Sequence, residues 1–464
     1  MISATRTKEP IVADDHRFGG PENQRRRLLQ AGFGVAALGA IPGAGQLAAY
    51  AQPAFDWKKY KGEKIEVFHI KSPRGDLLTK YHKEFEDLTG IGIGSEMIPE
   101  QQQRQKAVIE FNSGKPSFDV IAISYHVQKR LFGKNRWLED VRPMMADQSL
   151  TDPNLDPGDF AKGGMNWAVQ PDGRLDSLPF NIDPWVLYYN KEIFDAKNVA
   201  YPKDFAEIVE AAAKLNDLAK GISGFVGRGL KNANVPVWSS FLLGYGGGFI
   251  DANGKLMTET AEAVNSAKMY QTLMAKSGPQ GVAGFNWNES QSLFAQGKAA
   301  MWLDGIGFAQ PLEDPTKSRI VGKVGYGVMP PGPKQQVSAM FGDGQAISSF
   351  SSKKGPSWLY LQWASNKANQ ARMLEAAAGA PVRNSAYANA EALKSLKVPR
   401  AWVECMLASA RIAQPGLPVI VPVTEFRDTF GIALTNMISG ADAATELKKA
   451  TAEFQPVLDK SEKG

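Results

Sequence analysis

The spacing of apolar residues changes several times along the first third of the chain. Residues 64–70 alternate between apolar and polar side chains and are rich in β-formers, which predicts a strand. Residues 94–98 and the almost wholly apolar 118–124 predict two further strands, while helical spacing in 76–88 and 101–111 predicts helices between them. This β-α-β-α-β order predicts a largely parallel sheet with right-handed crossovers.

The ends of these predicted strands carry polar side chains. Ligands of such sheets sit beyond the carboxyl ends of the strands. Ser72 and Arg74 follow the first strand, Gln101 follows the second, and Ser124 and Tyr125 follow the third. We therefore expect these five side chains to contribute to a ligand site.

The stretch 178–190, LPFNIDPWVLYYN, contains two strand-like runs separated by a short polar turn. Pro184 removes a backbone donor and favours extended geometry at Asp183. We interpret the stretch as one ribbon that crosses between two lobes; a hairpin within one sheet is the alternative. Asn181 and Asp183 would lie at the crossing and face a ligand, although Asp183 in a turn can also act only as a cap.

The alternation of helices and strands begins again after the ribbon. Residues 204–218 and 258–274 predict helices, residues 224–228 predict a strand, and the apolar run 299–303 predicts a strand that ends at Asp304. We take this last strand as a second crossing between the lobes. From residue 357 onwards the pattern is almost entirely helical.

The predicted fold class is α/β, with two lobes that each contain a mainly parallel sheet flanked by helices, and with a helical C-terminal part. Residues 1–51 form a leader. Lobe I is expected to comprise residues 52–183 and 304–350, and lobe II residues 184–303 and 351–464.

Composition excludes several classes of function. The chain has 464 residues, 43% hydrophobic and 22% charged, with a formal net charge of +5. The first 51 residues carry six basic and four acidic side chains, leaving 47 and 44 in the remainder. This near-equal number of basic and acidic side chains argues against nucleic acid as a partner. The single cysteine, Cys405, excludes an intramolecular disulfide and a multi-cysteine metal or iron–sulfur site.

Residues 24–51 have the pattern of an export signal. Arg25 and Arg26 precede Leu28 and a weakly apolar region rich in glycine and alanine, as in twin-arginine signals. Residues 49–51, Ala-Tyr-Ala, predict cleavage after Ala51 and a periplasmic location. Gly, Pro and Gln interrupt the apolar run, which argues against a membrane anchor. Many twin-arginine passengers carry redox cofactors, so an exported enzyme is an alternative.

Six segments in a fixed order resemble the family 1 extracellular solute-binding proteins, the receptors of ABC sugar importers. They are EFEDLTGIGI (84–93), FNSGKPSFDVIAI (111–123), LPFNIDPWVLYYNKEIF (178–194), LFAQGKAAMW (293–302), VGYGVMPPGP (324–333) and APVRNSAY (380–387). The match is most similar to the branch that binds polyols and monosaccharides. Family members often carry a tryptophan near position 343, where this chain has Asp343, so ring stacking is not expected there.

The resemblance implies a type II-like periplasmic-binding fold whose lobes close over a ligand, without catalytic residues. It implies a sugar, a polyol or a related small solute as ligand and a membrane ABC permease as partner. We expect a monomer with no cofactor and no metal.

A polyhydroxylated ligand needs planar polar groups for its hydroxyls and flat aromatic faces for its C–H surfaces. The segments expected at the cleft supply both kinds of side chain, although each tryptophan can equally belong to a core and each charged group to a turn or an ion pair. Besides the residues named above, the candidates are Asp304, Asp343, Gln345, Arg228, Arg383, Trp238, Trp287 and Trp302.

Two other classes of function stay open. The leader favours a Tat-exported enzyme, either an oxidoreductase or a polysaccharide-active enzyme, but no nucleotide loop, HExxH or G-x-S-x-G pattern is present. The same fold also accommodates an organic acid or a phosphorylated polyol. Convergence of Arg74, Arg228 and Arg383 in one cleft would favour such an anion, and their separation would favour a neutral ligand.

Overall fold

A computed structural model describes residues 54–463. The predicted export signal and its cleavage site after Ala51 lie outside these residues. No helix within the described part of the chain is both long and apolar enough to cross a membrane.

Ten strands and seventeen helices alternate along the described chain. The strands are β1 (Lys64–Ile70), β2 (Gly92–Ile98), β3 (Val120–Ser124), β4 (Leu178–Asn190), β5 (Ser223–Val226), β6 (Ala299–Gly305), β7 (Val324–Gly327), β8 (Ser338–Ile347), β9 (Ala380–Pro381) and β10 (Ala413–Pro415). The helices are α1 (Pro73–Lys80), α2 (His82–Thr89), α3 (Glu100–Ser113), α4 (Tyr125–Asn135), α5 (Arg142–Ala146), α6 (Lys162–Ala168), α7 (Lys191–Ala196), α8 (Phe205–Leu215), α9 (Val235–Gly244), α10 (Ala261–Lys276), α11 (Trp287–Ala295), α12 (Lys354–Ala364), α13 (Lys367–Glu375), α14 (Ala390–Lys394), α15 (Arg400–Arg411), α16 (Val423–Ile438) and α17 (Ala443–Lys463).

Parallel pairing dominates the two outer parts of the sheet system. β1 pairs in parallel with β2 and β3, and β5 pairs in parallel with β6, as the alternating pattern predicts. Between them β4 and β8 run antiparallel to their neighbours, giving the order β2-β1-β3-β8-β4-β6-β5. The fold is therefore the predicted two-lobed α/β architecture.

Buried apolar side chains form two separate cores. The first core draws mainly on residues 65–182 and 346–382, and the second core mainly on residues 185–341 and 374–458. Strand β4 belongs to both, because Leu178 and Phe180 pack in the first core and Trp185 and Leu187 in the second. Its first half pairs with β8 and its second half with β6. The predicted crossing ribbon is confirmed, and the hairpin alternative is wrong.

The second crossing is made by β8 and not, as predicted, by β6. All of β6 is buried and packs in the second core. In β8, Ala339 and Phe341 belong to the second core while Ala346 and Ile347 belong to the first. β6 is a central strand, covered on both faces by one core, which explains why its continuous apolar run does not mark a passage between lobes.

This packing also differs from the expected division of the chain. Residues 306–341, expected in lobe I, pack in the second core. Helix α12, expected in lobe II, packs in the first core through Trp358, Leu361 and Trp363. The chain thus returns to the first core after β8 before its last helices pack in the second.

Candidate functional site

A cavity of about 70 Å³ lies where side chains of the two cores meet. Ser72, Arg74 and Ser124 line it from elements of the first core, and Arg228 and Trp287 line it from elements of the second. Pockets for drug-sized ligands usually measure about 300–1,000 Å³. This cavity is smaller than those pockets, which favours a small solute as its occupant.

The first-core wall is built by the start of α1 and the end of β3. The Ser72 hydroxyl caps α1 by accepting from the Gly75 amide at 3.2 Å, and Pro73 occupies the first helical position. This places Arg74 in the first turn, where its Nη2 lies 3.0 Å from Oδ2 of Asp343. The hydroxyl of Ser124, at the end of β3, donates to the other oxygen of Asp343 at 3.2 Å.

Asp183 lies on the crossing strand β4, between the two walls. Its Oδ1 accepts from the Gly307 amide at 2.9 Å, and its Oδ2 lies 3.7 Å from Nη1 of Arg74. Burial raises the pKa of Asp183 to about 6, against the opposing effect of Arg74. The segments around positions 183 and 304 therefore meet directly, because Trp185 also pairs with Gly305 across the β4–β6 ladder.

Arg228, just after β5, is held by Asp304 at the end of β6. Both oxygens of the fully buried Asp304 accept from the guanidinium, the Nε–Oδ2 bond being 2.9 Å. The guanidinium also lies over the Trp185 ring, 4.9 Å from its centroid. Such a bidentate, stacked arrangement fixes the orientation of an arginine. Arg228 lines the cavity, whereas Asp304 does not line the cavity but holds the Arg228 guanidinium in position.

Aromatic rings form the second-core wall. The Asn286–Glu289 capping box starts α11 at Trp287, whose ring stacks on Phe308 with centroids 4.9 Å apart. Trp185 packs against Phe341 at 5.1 Å, and all four of these rings line the cavity. Trp185 belongs both to the second core and to the cavity wall.

Several buried polar atoms at the cavity have no hydrogen-bond partner among residues 54–463. They are Arg74 Nη1, Glu100 Oε1, Arg104 Nε, His126 Nδ1 and Gln345 Oε1. A buried polar atom left unpaired costs about 1–3 kcal/mol, and most buried polar groups in proteins are paired. Both donors and acceptors are present, so a ligand that can donate and accept would satisfy them.

The structure brings together only part of the predicted site. Eight predicted residues line the cavity: Ser72, Arg74, Ser124, Asp183, Arg228, Trp287, Asp343 and Gln345. The cavity lining does not include Gln101, which lies in the first turn of α3 beside the lining residue Glu100.

Four further predicted residues have partners away from the cavity. The Tyr125 hydroxyl bonds Ser177 inside the first core, and Asn181 Oδ1 accepts from the Ala380 amide at 2.9 Å. The two predicted stacking rings belong to the second core, where Trp238 Nε1 donates to Ser266 and Trp302 stacks on Tyr188.

Arg383 is fully buried and is paired with Asp159 at 3.4 Å, away from the cavity. Arg74, Arg228 and Arg383 therefore do not converge in one cleft, the arrangement that the sequence analysis associated with a neutral ligand.

Sequence reasoning missed Arg104, His126, Phe308 and Arg427, which line the cavity together with Glu100. One signal was available: Glu100 and Arg104 are four residues apart on α3 and form an ion pair at 3.6 Å, so they share a helix face. Arg427 lies on α16, and no local pattern connects it with the strand ends. Within residues 54–463, no group of three or more His, Cys, Asp or Glu side chains could hold a metal ion.

Residues 71–371 match the family described as Bacterial extracellular solute-binding protein. The chain belongs to this family. This solute-binding protein is 24% identical to the Erythritol/L-threitol-binding protein of Mycolicibacterium smegmatis over 423 residues, covering 85% of this chain and 86% of that protein. It is 26% identical to a Probable amino-acid ABC transporter periplasmic-binding protein of Sinorhizobium fredii, covering 80% of this chain and 84% of that protein.

Solved structures show the same fold. An ABC transporter solute-binding protein from Agrobacterium radiobacter K84, in complex with ribitol, superposes with a TM-score of 0.79 at 24% identity. The alignment covers 86% of this chain and 99% of that structure. The two-lobed fold inferred from the sequence is thereby confirmed.

Proposed function

We propose that this protein is the periplasmic receptor of an ABC importer, which captures a small polyhydroxylated solute between its lobes and delivers it to a membrane permease. The observation that carries the proposal is the set of buried, unpaired donors and acceptors around the cavity, among them Arg104 Nε, Glu100 Oε1 and Gln345 Oε1. Each hydroxyl of a polyol both donates and accepts, so a few hydroxyls can satisfy the whole set.

The aromatic wall supports the same ligand class. The rings of Trp185, Trp287, Phe308 and Phe341 offer flat apolar surface next to the polar groups, as the C–H faces of a polyol require. The named ligands of two relatives, erythritol or L-threitol and ribitol, are small linear polyols. We propose that this protein has no catalytic activity and is exported to the periplasm by the twin-arginine route.

We propose that the lobes close by a hinge motion about β4 and β8, the two strands shared by the cores. In the structure Arg74 of α1 lies between Asp343 of β8 and Asp183 of β4, and the Gly307 amide donates to Asp183. A solute that contacts both walls would stabilise a closed state by as much as its affinity for that state exceeds its affinity for the open one.

Thermal unfolding of the purified protein with a panel of linear polyols and monosaccharides tests the proposal. A ligand at 100 times its Kd stabilises the folded state by about 2.7 kcal/mol, so at least one member should raise Tm clearly. Absence of any shift across neutral and acidic sugars and polyols would refute the proposal.

Trp287→Ala then tests the site itself. Removing the indole takes away a face of the cavity, so we expect affinity for the solute to fall roughly 10-fold or more. Trp57→Ala is the matched control, because Trp57 is also half-buried and packs against a phenylalanine at 5.2 Å, but lies outside the cavity. Equal losses of affinity in the two variants would contradict the assigned site.

A further inference from the structure

Four arginine side chains line the cavity: Arg74, Arg104, Arg228 and Arg427. His126 lines it as well, and burial, together with Arg104, Arg427 and Arg228, holds the pKa of His126 well below its ordinary value, so this ring is neutral. The carboxylates beside each arginine show which positive charge lacks a partner.

Three of the four arginines have a carboxylate within ion-pair distance, and that of Arg74 is Asp343 at 3.0 Å. Arg228 is held by both oxygens of Asp304. Arg104 lies 3.6 Å from Glu100 and donates to the Ser124 hydroxyl at 3.0 Å. Burial alone would raise the pKa of Glu100, but the arginines, first that of Arg104, outweigh burial and lower it, so Glu100 is ionised. Arg427 is the remaining arginine of the cavity wall.

Arg427 has no carboxylate partner among residues 54–463 within the 4.0 Å of an ion pair. It is 3% exposed and lines the cavity, and its Nε donates only to the backbone oxygen of Asn232, at 3.0 Å. The adjacent Asp428 is directed to Lys231, 3.8 Å away, and to the Asn232 amide. A buried charge without a partner is costly, and here burial, followed by Arg104, lowers the pKa of Arg427 to about 9.

The arrangement spans the cleft. Arg104 lies on α3, whose Ala107 and Phe111 pack in the first core, and Arg427 lies on α16, which packs in the second. Two like charges from opposite lobes repel each other when the lobes close. A bound anion removes this repulsion and contacts both lobes, so it favours closure specifically.

The other two carboxylates of the cavity wall, Asp183 and Asp343, share one cation, Arg74. Asp183 accepts from the Gly307 amide and lies 3.7 Å from Arg74, whereas Asp343 lies 3.0 Å from Arg74 and accepts from the Ser124 hydroxyl. The atoms left unpaired near them, Gln345 Oε1 and Arg74 Nη1, are a neutral acceptor and a donor that suit hydroxyl groups. Beside Arg427 the site therefore suits one negative charge, and near Asp183 and Asp343 it suits hydroxyl groups.

We propose that the ligand is a small polyhydroxylated monocarboxylate, such as an aldonate, whose carboxylate is bound by Arg427 with Arg104 opposite. The inference rests on the proposed function and specifies its solute class. A phosphate ester fits less well, because it carries a charge of about −1.5 to −2 at neutral pH and only one guanidinium lacks a partner.

Calorimetric titration of the purified protein with matched pairs tests the inference at neutral pH. D-ribonate is compared with ribitol and D-gluconate with D-glucitol, since each pair differs only at one terminal carbon. We expect at least one aldonate to bind 10-fold or more tightly than its polyol. Equal or tighter binding of the polyol, of a glycerol phosphate or of an amino acid would overturn the inference while a receptor function remained; no binding of any sugar-like solute would overturn the proposed function.

Arg427→Gln locates the carboxylate. Loss of one partner of a buried charge pair should weaken aldonate binding by roughly 30-fold or more, while the Kd for the matched polyol changes by less than about threefold. Arg400→Gln is the control, because it removes the same charge from an exposed position on α15. An unchanged preference of Arg427→Gln for the aldonate over the polyol would overturn the assignment of the carboxylate to Arg427. The comparison of aldonate with polyol in the natural protein decides the solute class even if this variant does not fold.

Discussion

The buried pair of Asp304 and Arg228 allows a quantitative prediction. Asp304 is fully buried. It accepts two hydrogen bonds from Arg228 and one from the Gly305 amide at 2.8 Å. In Asp304→Asn the side chain keeps its shape but loses its charge, which leaves the guanidinium of Arg228 in the interior without a counter-ion. Removing one partner of a buried ion pair typically costs about 3–5 kcal/mol, and we expect a loss of unfolding free energy in that range.

Urea unfolding followed by tryptophan fluorescence measures this loss, because buried tryptophans such as Trp238 and Trp302 report on the second core. Asp87→Asn is the control. Asp87 forms an i,i+4 ion pair with Lys83 on the surface of α2, and exposed pairs of this kind contribute at most about 1 kcal/mol.

The outcome for binding follows from the same contact. Arg228 without Asp304 is no longer fixed over the Trp185 ring, so the affinity for the solute should fall as well. A loss of unfolding free energy no greater than that of the Asp87→Asn control would refute the reasoning that Asp304 is a buried counter-ion.

Two further predictions concern pH and close packing. Burial lowers the pKa of His69 to about 3 and of His82 to about 4, and both rings lie at the Tyr360 hydroxyl. As the pH falls below about 6.5, the unfolded chain therefore takes up protons on these histidines before the folded chain does. The unfolding free energy should decrease from about pH 6.5 towards pH 4, and His82→Gln should flatten a plot of Tm against pH. A plot for His82→Gln that runs parallel to that of the natural protein would contradict this. A methyl group at Gly305 would clash with the Asp183 carboxylate, so Gly305→Ala should weaken solute binding measured by calorimetry, and unchanged affinity would argue against this close approach.

Local patterns predicted those parts of the structure that depend on neighbouring residues. The strand-end rule found Ser72, Arg74 and Ser124 because a parallel sheet places the ends of its strands at one edge. The apolar–polar–apolar pattern around Pro184 identified β4 as a crossing because two packing environments leave two apolar runs in one strand.

What the sequence could not decide was which core a buried side chain joins. Strands β6 and β8 both contain apolar residues, and their sequences do not show which of them is a crossing. Only the cores in which these residues pack distinguish the central strand from the crossing strand. Trp302 packs in the second core although it lies two residues from Asp304. Arg427 reaches the cavity from α16 through the packing of helices far apart in sequence, which periodicity cannot reveal.

The distance between the two lobes, measured with and without solute, tests the central claim most directly. Spin labels at Ile109→Cys on α3 and Ile432→Cys on α16 occupy exposed positions on helices that face the cavity from opposite sides, while the native Cys405 is buried. Double electron–electron resonance should show a shorter and narrower distance distribution when the tightest-binding solute of the panel is added. A distribution that stays unchanged while calorimetry shows the solute bound would contradict closure of the two lobes over a ligand.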